Sequence, residues 1–393
     1  MTSKRSPFNL KSYLLRRGLG AVCILVTVFT LPHRWFMWRS AKWYDGDKAV
    51  QARLARGVEY WIEEKGEELT TATFRTGHAL YNGEWLFGTY VMAGMGFGQT
   101  ALEHPEWKAR HAALMERCID VLLDDRVSAF DTGMWYGQKA LDHLDGTSMT
   151  HAAYLGNLNV LLGLHRVVAP HSKHAALNDR VTSALIQGVS ANPLGLLPSY
   201  PEEYYPMDNC AVAGSIGMHS RATGTDRSDF LRRWGENFRN RYVERKTGLL
   251  IQAVDRNSGA GIDHPRGSGT ALGAYWLSFA DPKLSAELFD AIRRELADPL
   301  LGFGGIKEYP KGITGSGDVD SGPVVFGYGV SPTGFTISLS RIHGDRDLYR
   351  RLYASAQLLG APIHRGGRKH YVMGGSLGDA ILFAMLTARK GGG

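Results

Sequence analysis

Two kinds of helix-like segment alternate along this chain. One kind is amphipathic, with apolar residues at helical spacing and charges between them; it occupies residues 48–65, 105–123, 173–189, 226–245, 282–296 and 346–359. The other kind is built from Gly, Ala and aromatics with almost no charge, at 84–102, 150–168, 207–223, 270–279, 323–343 and 377–389. After the second kind the chain breaks at "EHPEW", "APHSK", "TGTDR", "ADPKL" and "HGDRD", at intervals of about 55–65 residues, in line with a helical hairpin plus a loop. A helical hairpin cannot bury its own apolar face, so the hairpins must stack. Segments without a charged face are covered on every side, which favours closure into a ring over an open solenoid. The pattern therefore predicts an all-α domain over 45–390: an (α/α)6 toroid of six helical hairpins, with an inner and an outer ring. Short β pieces such as "GLLIQAV" and "RKHYVM" are expected in the loops at the funnel mouth.

The charge distribution sets the first 40 residues apart. The chain has 393 residues and a formal net charge of +7, from 45 basic and 38 acidic residues. Residues 1–40 contain Lys4, Arg5, Lys11, Arg16, Arg17, Arg34 and Arg39 and no acid, which accounts for the whole excess. The remainder is neutral, so no basic stripe points to nucleic acid. Cations precede the apolar run "GLGAVCILVTVFTL", and Trp35, Phe36 and Trp38 follow it. That order is a membrane anchor or signal segment with its N-terminus inside and an aromatic belt at the far interface. It places the body outside the cytoplasmic membrane (the periplasmic side), or in the secreted fraction if the segment is cleaved.

Three cysteines form no disulfide framework, and the scattered histidines have no metal-ligand spacing. No metal and no other cofactor is expected; an oligomer is left open. "GGSLG" lacks the strand–turn–helix context of a nucleophile elbow, and "DVDSG" lacks the further ligands of a calcium loop.

Polar residues gather at the starts of the small-residue helices. Glu84 and Trp85 open the first. His151, Tyr154 and Asn157 lie on one face of the second. Tyr204, Tyr205, Asp208 and Asn209 open the third, His264 and Arg266 precede the fourth, and Asp318 and Asp320 precede the fifth. Any one of these acids or amides could simply cap its helix. Together they describe a concave site with converging polar groups, the usual form of a ligand site. The expected catalytic groups are Asp208, Asp318, Asp320, Glu84 and His151. The expected substrate contacts are Trp85, Trp135, Tyr154, Asn157, Tyr204, Tyr205, Asn209, His264 and Arg266.

The stretch 151–345 resembles the linalool dehydratase/isomerase family, through "YLGNLNVLLGLHRVV", "IQGVSANPLGLLPSYPEEYYPMDNC", "RATGTDR", "GLLIQAV", "GDVDSGP" and "RIHGD" in that order. The resemblance implies the (α/α)6 toroid, and a site in which cysteines and a histidine surround a terpene alcohol. The matching positions here are Ser199 and Asp208 for the cysteines and Asn157 for the histidine, with Cys210 two residues beyond. The resemblance thus implies a lost thiol site, with a carboxylate in its place and the paired-acid loop at Asp318 and Asp320 kept.

Two carboxyls in a funnel rimmed by aromatics suit acid–base chemistry at a C–O bond. The expectation is an envelope-anchored hydrolase or lyase acting on a glycan or glycoside, with Asp208 as acid and Asp318 or Asp320 as base. The alternatives are a hydro-lyase or isomerase of a small hydrophobic alcohol, and a non-catalytic protein that binds a ligand or partner in the envelope.

Overall fold

The small, uncharged segments become helices that other helices cover. A computed structural model describes residues 10–144, 150–299, 302–318 and 321–389, and the protein is all-α. The helices of the inner set are α3 (Ala79–Glu103), α6 (Ala152–Val168), α8 (Pro206–Thr223), α10 (Gly267–Leu277), α12 (Val330–Ile342) and α14 (Gly375–Thr387). The amphipathic set is α2 (Lys48–Glu59), α4 (Lys108–Leu122), α7 (Ala175–Ala191), α9 (Ser228–Tyr242), α11 (Pro282–Glu295) and α13 (Arg346–Gly360). Two further helices, α1 (Leu10–Tyr44) and α5 (Asp125–Met134), stand outside the alternation.

Helix contacts run α3 to α6, α6 to α8, α8 to α10, α10 to α12, α12 to α14, and from α14 back to α3. This cycle of neighbours is what a closed inner ring requires. Each amphipathic helix lies against one or two members of it. Small residues permit the close approach. A Cβ on Gly214 or Gly217 of α8 would collide with the carbonyl oxygens of Trp276 and Phe279, so only glycine lets α8 and the end of α10 meet backbone to backbone. Short connections follow the inner helices, whereas the long irregular segments precede them, so those segments collect at one end of the bundle.

Two short hairpins lie in these long segments. Strand β1 (Val324–Val325) pairs with β2 (Tyr328–Gly329), and β3 (Pro362–Arg365) pairs with β4 (Arg368–Tyr371), both antiparallel. The first hairpin shortens α12, which begins at Val330 and not near 323. "GPVVFGYG" turns back on itself instead, with Phe326 at φ +52°. Helix α3 starts earlier than expected, at Ala79, where the His78 imidazole accepts the Leu80 N–H. Helix α5 was not foreseen; Asp124 caps it by accepting the Arg126 N–H at 2.8 Å.

Helix α1 crosses the boundary drawn at residue 40 without interruption. It is long and apolar enough to span a membrane, with mean hydropathy 1.8 over a window that the protein leaves wholly uncovered. Its last turns behave differently. His33, Ser40, Trp43 and Tyr44 are buried and Phe36 packs on the core, whereas Trp35 and Trp38 remain exposed. The buried stripe lies against α13: the Tyr44 ring meets Tyr349 at 5.2 Å and Trp43 meets Tyr353 at 6.4 Å. Below Trp43 sits a buried lysine, Lys369, which donates to Gln357 Oε1 at 2.6 Å and to the Tyr371 hydroxyl at 2.7 Å. Burial pushes its ammonium down to about 7.

Arg341 joins the two ends of the chain. It is 1 % exposed, and its guanidinium donates to Tyr44 O of α1 at 3.2 Å, to Ala388 O beyond α14 at 2.8 Å, and to Glu103 of α3 at 2.6 Å. Glu103 also accepts from Gln51 of α2 at 2.8 Å.

Two stability outcomes follow from these contacts, both measurable by chemical denaturation of the full chain in detergent. Trp43→Ala removes a buried ring and should cost about 3–5 kcal/mol, whereas Trp38→Ala on the same helix should stay within about 0.5 kcal/mol. Arg341→Met takes the ion-pair partner from Glu103, which keeps Gln51, leaves the Tyr44 and Ala388 carbonyl oxygens without their donor, and should cost about 3 kcal/mol. Equal effects at Trp38 and Trp43 would contradict the docked face of α1.

Candidate functional site

The loops before α10 and α12 come together around one arginine. Arg266, the residue before α10, forms an ion pair with Asp263 at 2.6 Å and a second with Asp318. Its guanidinium carbon lies 5.7 Å from the centre of the Tyr309 ring, and the Tyr309 hydroxyl donates to Ser316 O at 3.1 Å. Asp318 is fixed by a tight local turn: its Oδ1 accepts the Ser321 N–H at 2.8 Å, and its own N–H donates to Ser321 Oγ at 2.8 Å. Partial burial works to raise Asp318, but the Ser321 amide and the Arg266 charge outweigh it and hold the carboxyl below its usual range. Asp320 lies outside the described residues.

Beneath this surface is Glu308, a carboxyl the sequence did not suggest. It is fully buried at the N-terminus of α10, where it accepts the Ser268 hydroxyl at 2.6 Å and the Ser268 N–H at 3.2 Å. Its backbone carbonyl accepts the Gly267 N–H at 2.7 Å, and a Cβ on Gly329 would stand 3.1 Å from its Oε2. The side chain is thus wedged between the starts of α10 and α12. Burial is the main cause that pushes it up to about 7; the Asp318 charge adds to this, while Ser268 and Arg266 oppose it. Two carboxyls beside one arginine are therefore pushed in opposite directions, Glu308 toward the protonated form and Asp318 toward the ionised one.

A second group forms around the start of α8. Asp208 is buried in its first turn. Its charge, after burial itself, helps to push the Cys210 thiol up. Asn209 is wholly buried and clamps the preceding loop: its Oδ1 accepts the Leu197 N–H at 2.7 Å and its Nδ2 donates to Leu197 O at 2.9 Å. That pairing makes it a structural residue, not a substrate contact. Half-buried Glu84 accepts the Tyr200 hydroxyl, which ties α3 to the loop before α8. The Tyr205 hydroxyl donates to Glu203 at 2.8 Å, and Tyr204 receives Asn192 Nδ2 at 3.3 Å.

Several expected rim residues sit inside the protein. His151 is fully buried at φ +40°, and its Nδ1 lies 2.7 Å from Asp131 Oδ2 of α5. Burial raises Asp131 against the opposing pull of His151. Trp135 is 5 % exposed and stacks on the His151 ring at 4.3 Å, so neither of its faces is open to a sugar. His151 Nε2, Asp131 Oδ1 and Trp135 Nε1 have no protein partner. Tyr154 is buried, and its hydroxyl donates to Leu122 O at 2.8 Å in the last turn of α4. Asn157 bonds back to Ala153 O in its own helix at 2.8 Å. Trp85 packs edge-on against Phe74 at 6.1 Å. His264 remains exposed beside Asp263.

Asp379 is likewise a fastener. Fully buried, it accepts Trp61 Nε1 at 2.8 Å and the Tyr371 N–H at 2.6 Å, and lies 2.8 Å from His370 Nδ1, so it locks the β3–β4 hairpin onto α14. Two surface depressions, of about 380 and about 500 Å³, lie on α7 and between α9 and α11, and none of the candidate residues lines either of them. No family model matches the chain.

The Glu308 environment gives a pH-dependent stability with a definite sign. Its proton affinity is higher in the folded than in the unfolded state, so stability is unaffected below about 4.5, falls between 4.5 and about 7, and stays reduced above that. A shift of that size corresponds to at most about 3 kcal/mol. Glu308→Gln keeps an acceptor for Ser268 and removes the ionisation. It should therefore raise the melting temperature at pH 8 and leave it little changed at pH 4. A lower melting temperature at pH 8 would show that the carboxylate is not strained there.

Proposed function

We propose that this protein is an acid–base enzyme that cleaves a C–O bond by hydrolysis at the Glu308–Asp318–Arg266 site. The observation that carries the reading is the divergence of two neighbouring carboxyls, one pushed toward the protonated form and the other toward the ionised one. That division of labour is what general acid–base cleavage of a glycosidic or related C–O bond requires. Protonated Glu308 supplies the proton: its carboxyl turns from acceptor to donor toward Ser268 Oγ, and the Ser268 hydroxyl gives its own hydrogen to the leaving oxygen. Asp318, exposed and held ionised by Arg266, takes the proton of an attacking water. Arg266 is already engaged by two carboxylates, which weighs against eliminative cleavage of an acidic glycan, where a free cation would be needed to neutralise the substrate. This reading moves the acid from Asp208 to Glu308 and leaves Asp208 as a buried residue in the first turn of α8.

Helix α1 is read as an uncleaved anchor that keeps the body outside the cytoplasm. Its last turns belong to the folded core, so cleavage after residue 31 would tear the α1–α13 contact. The substrate class that suits the anchor and the funnel is a neutral glycan or glycoside of the envelope. The same carboxyl pair would also dehydrate a small hydrophobic alcohol, the chemistry implied by the linalool dehydratase/isomerase resemblance.

The test is a screen of the full chain, purified in detergent, on neutral glycosides, envelope polysaccharide and allylic alcohols. With the substrate that responds, activity should fall as pH rises through about 7, where Glu308 loses its proton. Glu308→Gln and Asp318→Asn should each lose roughly 10²–10⁴-fold in kcat. Full activity in Glu308→Gln would remove Glu308 from the mechanism and return the acid role to Asp208 or Glu84.

A further inference from the structure

The β3–β4 hairpin leaves a patch of apolar side chains uncovered. Leu359 at the end of α13 is 70 % exposed, Ile363 of β3 is 48 %, and Val372 and Met373 beyond β4 are 58 % and 75 %. These four residues lie within fifteen positions of sequence, "LGAPIHRGGRKHYVM", which contains Arg365, Arg368 and Lys369 and no acid. Four large apolar side chains exposed so close together on one hairpin and its flanks, beside exposed arginine, have the character of an interaction surface.

The place of the hairpin relative to α1 identifies what covers it. Burial is the main cause that lowers Lys369 and His364, and Arg39 of α1 is near enough for its charge to add to both. The Trp43 ring lies 5.4 Å from Lys369 Nζ. The hairpin therefore sits at the height of Arg39 along α1, within one turn of the exposed Trp35 and Trp38. Those two tryptophans mark the level at which a spanning helix meets the headgroups. A surface of aliphatic tips and arginines at that level has the composition of an interfacial membrane contact. Arg368 is partly neutralised by its ion pair with Glu64, whereas Arg365 at the strand end is exposed.

We propose that the β3–β4 hairpin and the end of α13 rest on the bilayer that α1 spans, with Ile363, Met373 and their neighbours in the headgroup–acyl boundary and Arg365 among anionic headgroups. The proposal rests on the reading of α1 as a membrane anchor and adds a second, independent contact. Two contacts fix the tilt of the domain on the membrane. Because Val372 and Met373 lead directly into α14, an inner helix, that tilt brings the mouth end of the bundle against the lipid.

The experiment uses the full chain in vesicles of phosphatidylcholine and phosphatidylglycerol that carry spin-labelled lipids able to quench a fluorophore. Cys23 in the apolar run is exposed, while Cys118 and Cys210 are buried, so a thiol-reactive nitrobenzoxadiazole dye on the native chain reports the span. In a Cys23→Ser background the dye is placed at Met373→Cys, or at Thr225→Cys, which is exposed in a short connection at the opposite end of the bundle. The expected result is loss of emission from the dye at 23 and at 373 and unchanged emission at 225. Quenching at 23 with none at 373 would overturn the hairpin contact while the anchor stands. No quenching at 23 would overturn the anchor and the proposal with it. A dye at 373 that lipid leaves bright but that is shielded from aqueous iodide would assign the patch to a protein surface, such as a second copy of this chain, and would also overturn the proposal.

Discussion

Helix α3 packs directly on α14, where Gln99 Nε2 donates to Ala384 O at 2.8 Å, and Arg341 ties the ends of both helices to α1. Its guanidinium reaches the end of α1, the end of α14 and Glu103 at the end of α3, which brings residues more than 280 positions apart within hydrogen-bond distance. A charge buried to this extent is tolerable only when every donor is engaged. Around it, glycines at the α8–α10 contact let the inner helices approach until backbones touch. The end with the short connections is therefore tightly packed, and the long loops gather at the opposite end.

The alternation of the two helix types was legible because it is a matter of period and composition. Small residues with almost no charge between them, as in 209–220, mark a helix with no solvent face, and Gly or Pro after them marks the turn. Three features were not legible, each for a local reason. Helix α5 carries no strong apolar period and forms where Asp124 caps it and Phe130 packs against Gly83 and Phe87. The start of α12 shifted because glycines at 322, 327 and 329 favour a hairpin over a first helical turn. The continuity of α1 through residue 40 depends on a buried stripe spaced at 33, 36, 40 and 43, which an apolar run and an aromatic belt obscure.

For the site, the sequence located the loops better than the groups. Asp318 and Arg266, each expected at the start of an inner helix, form an ion pair across two repeats. Glu308 escaped notice since "IKEYPK" has the look of a solvated loop; only the closing together of two helix starts, with glycine at 267 and 329, buries it. Trp135, Tyr154 and His151 were read as rim residues because aromatics and imidazoles suit ligands. The fold instead directs them inward, against α5 and α4, where they hold a loop in position. Residue type suggests chemistry, but which way a loop faces is decided by neighbours far away in sequence.

The passage from α1 to α2 takes only three residues, Asp45 to Asp47, and the last turns of α1 are already part of the core. An enzyme on a flexible tether explores a hemisphere of solution whose radius is its linker. A domain mounted on a rigid mast explores none of it. If α1 stands in a bilayer, the domain moves only by lateral diffusion, at a fixed height above one leaflet. Its effective concentration is then a surface density, and a change in the crowding or thickness of the membrane alters what the domain can reach without touching a single one of its residues.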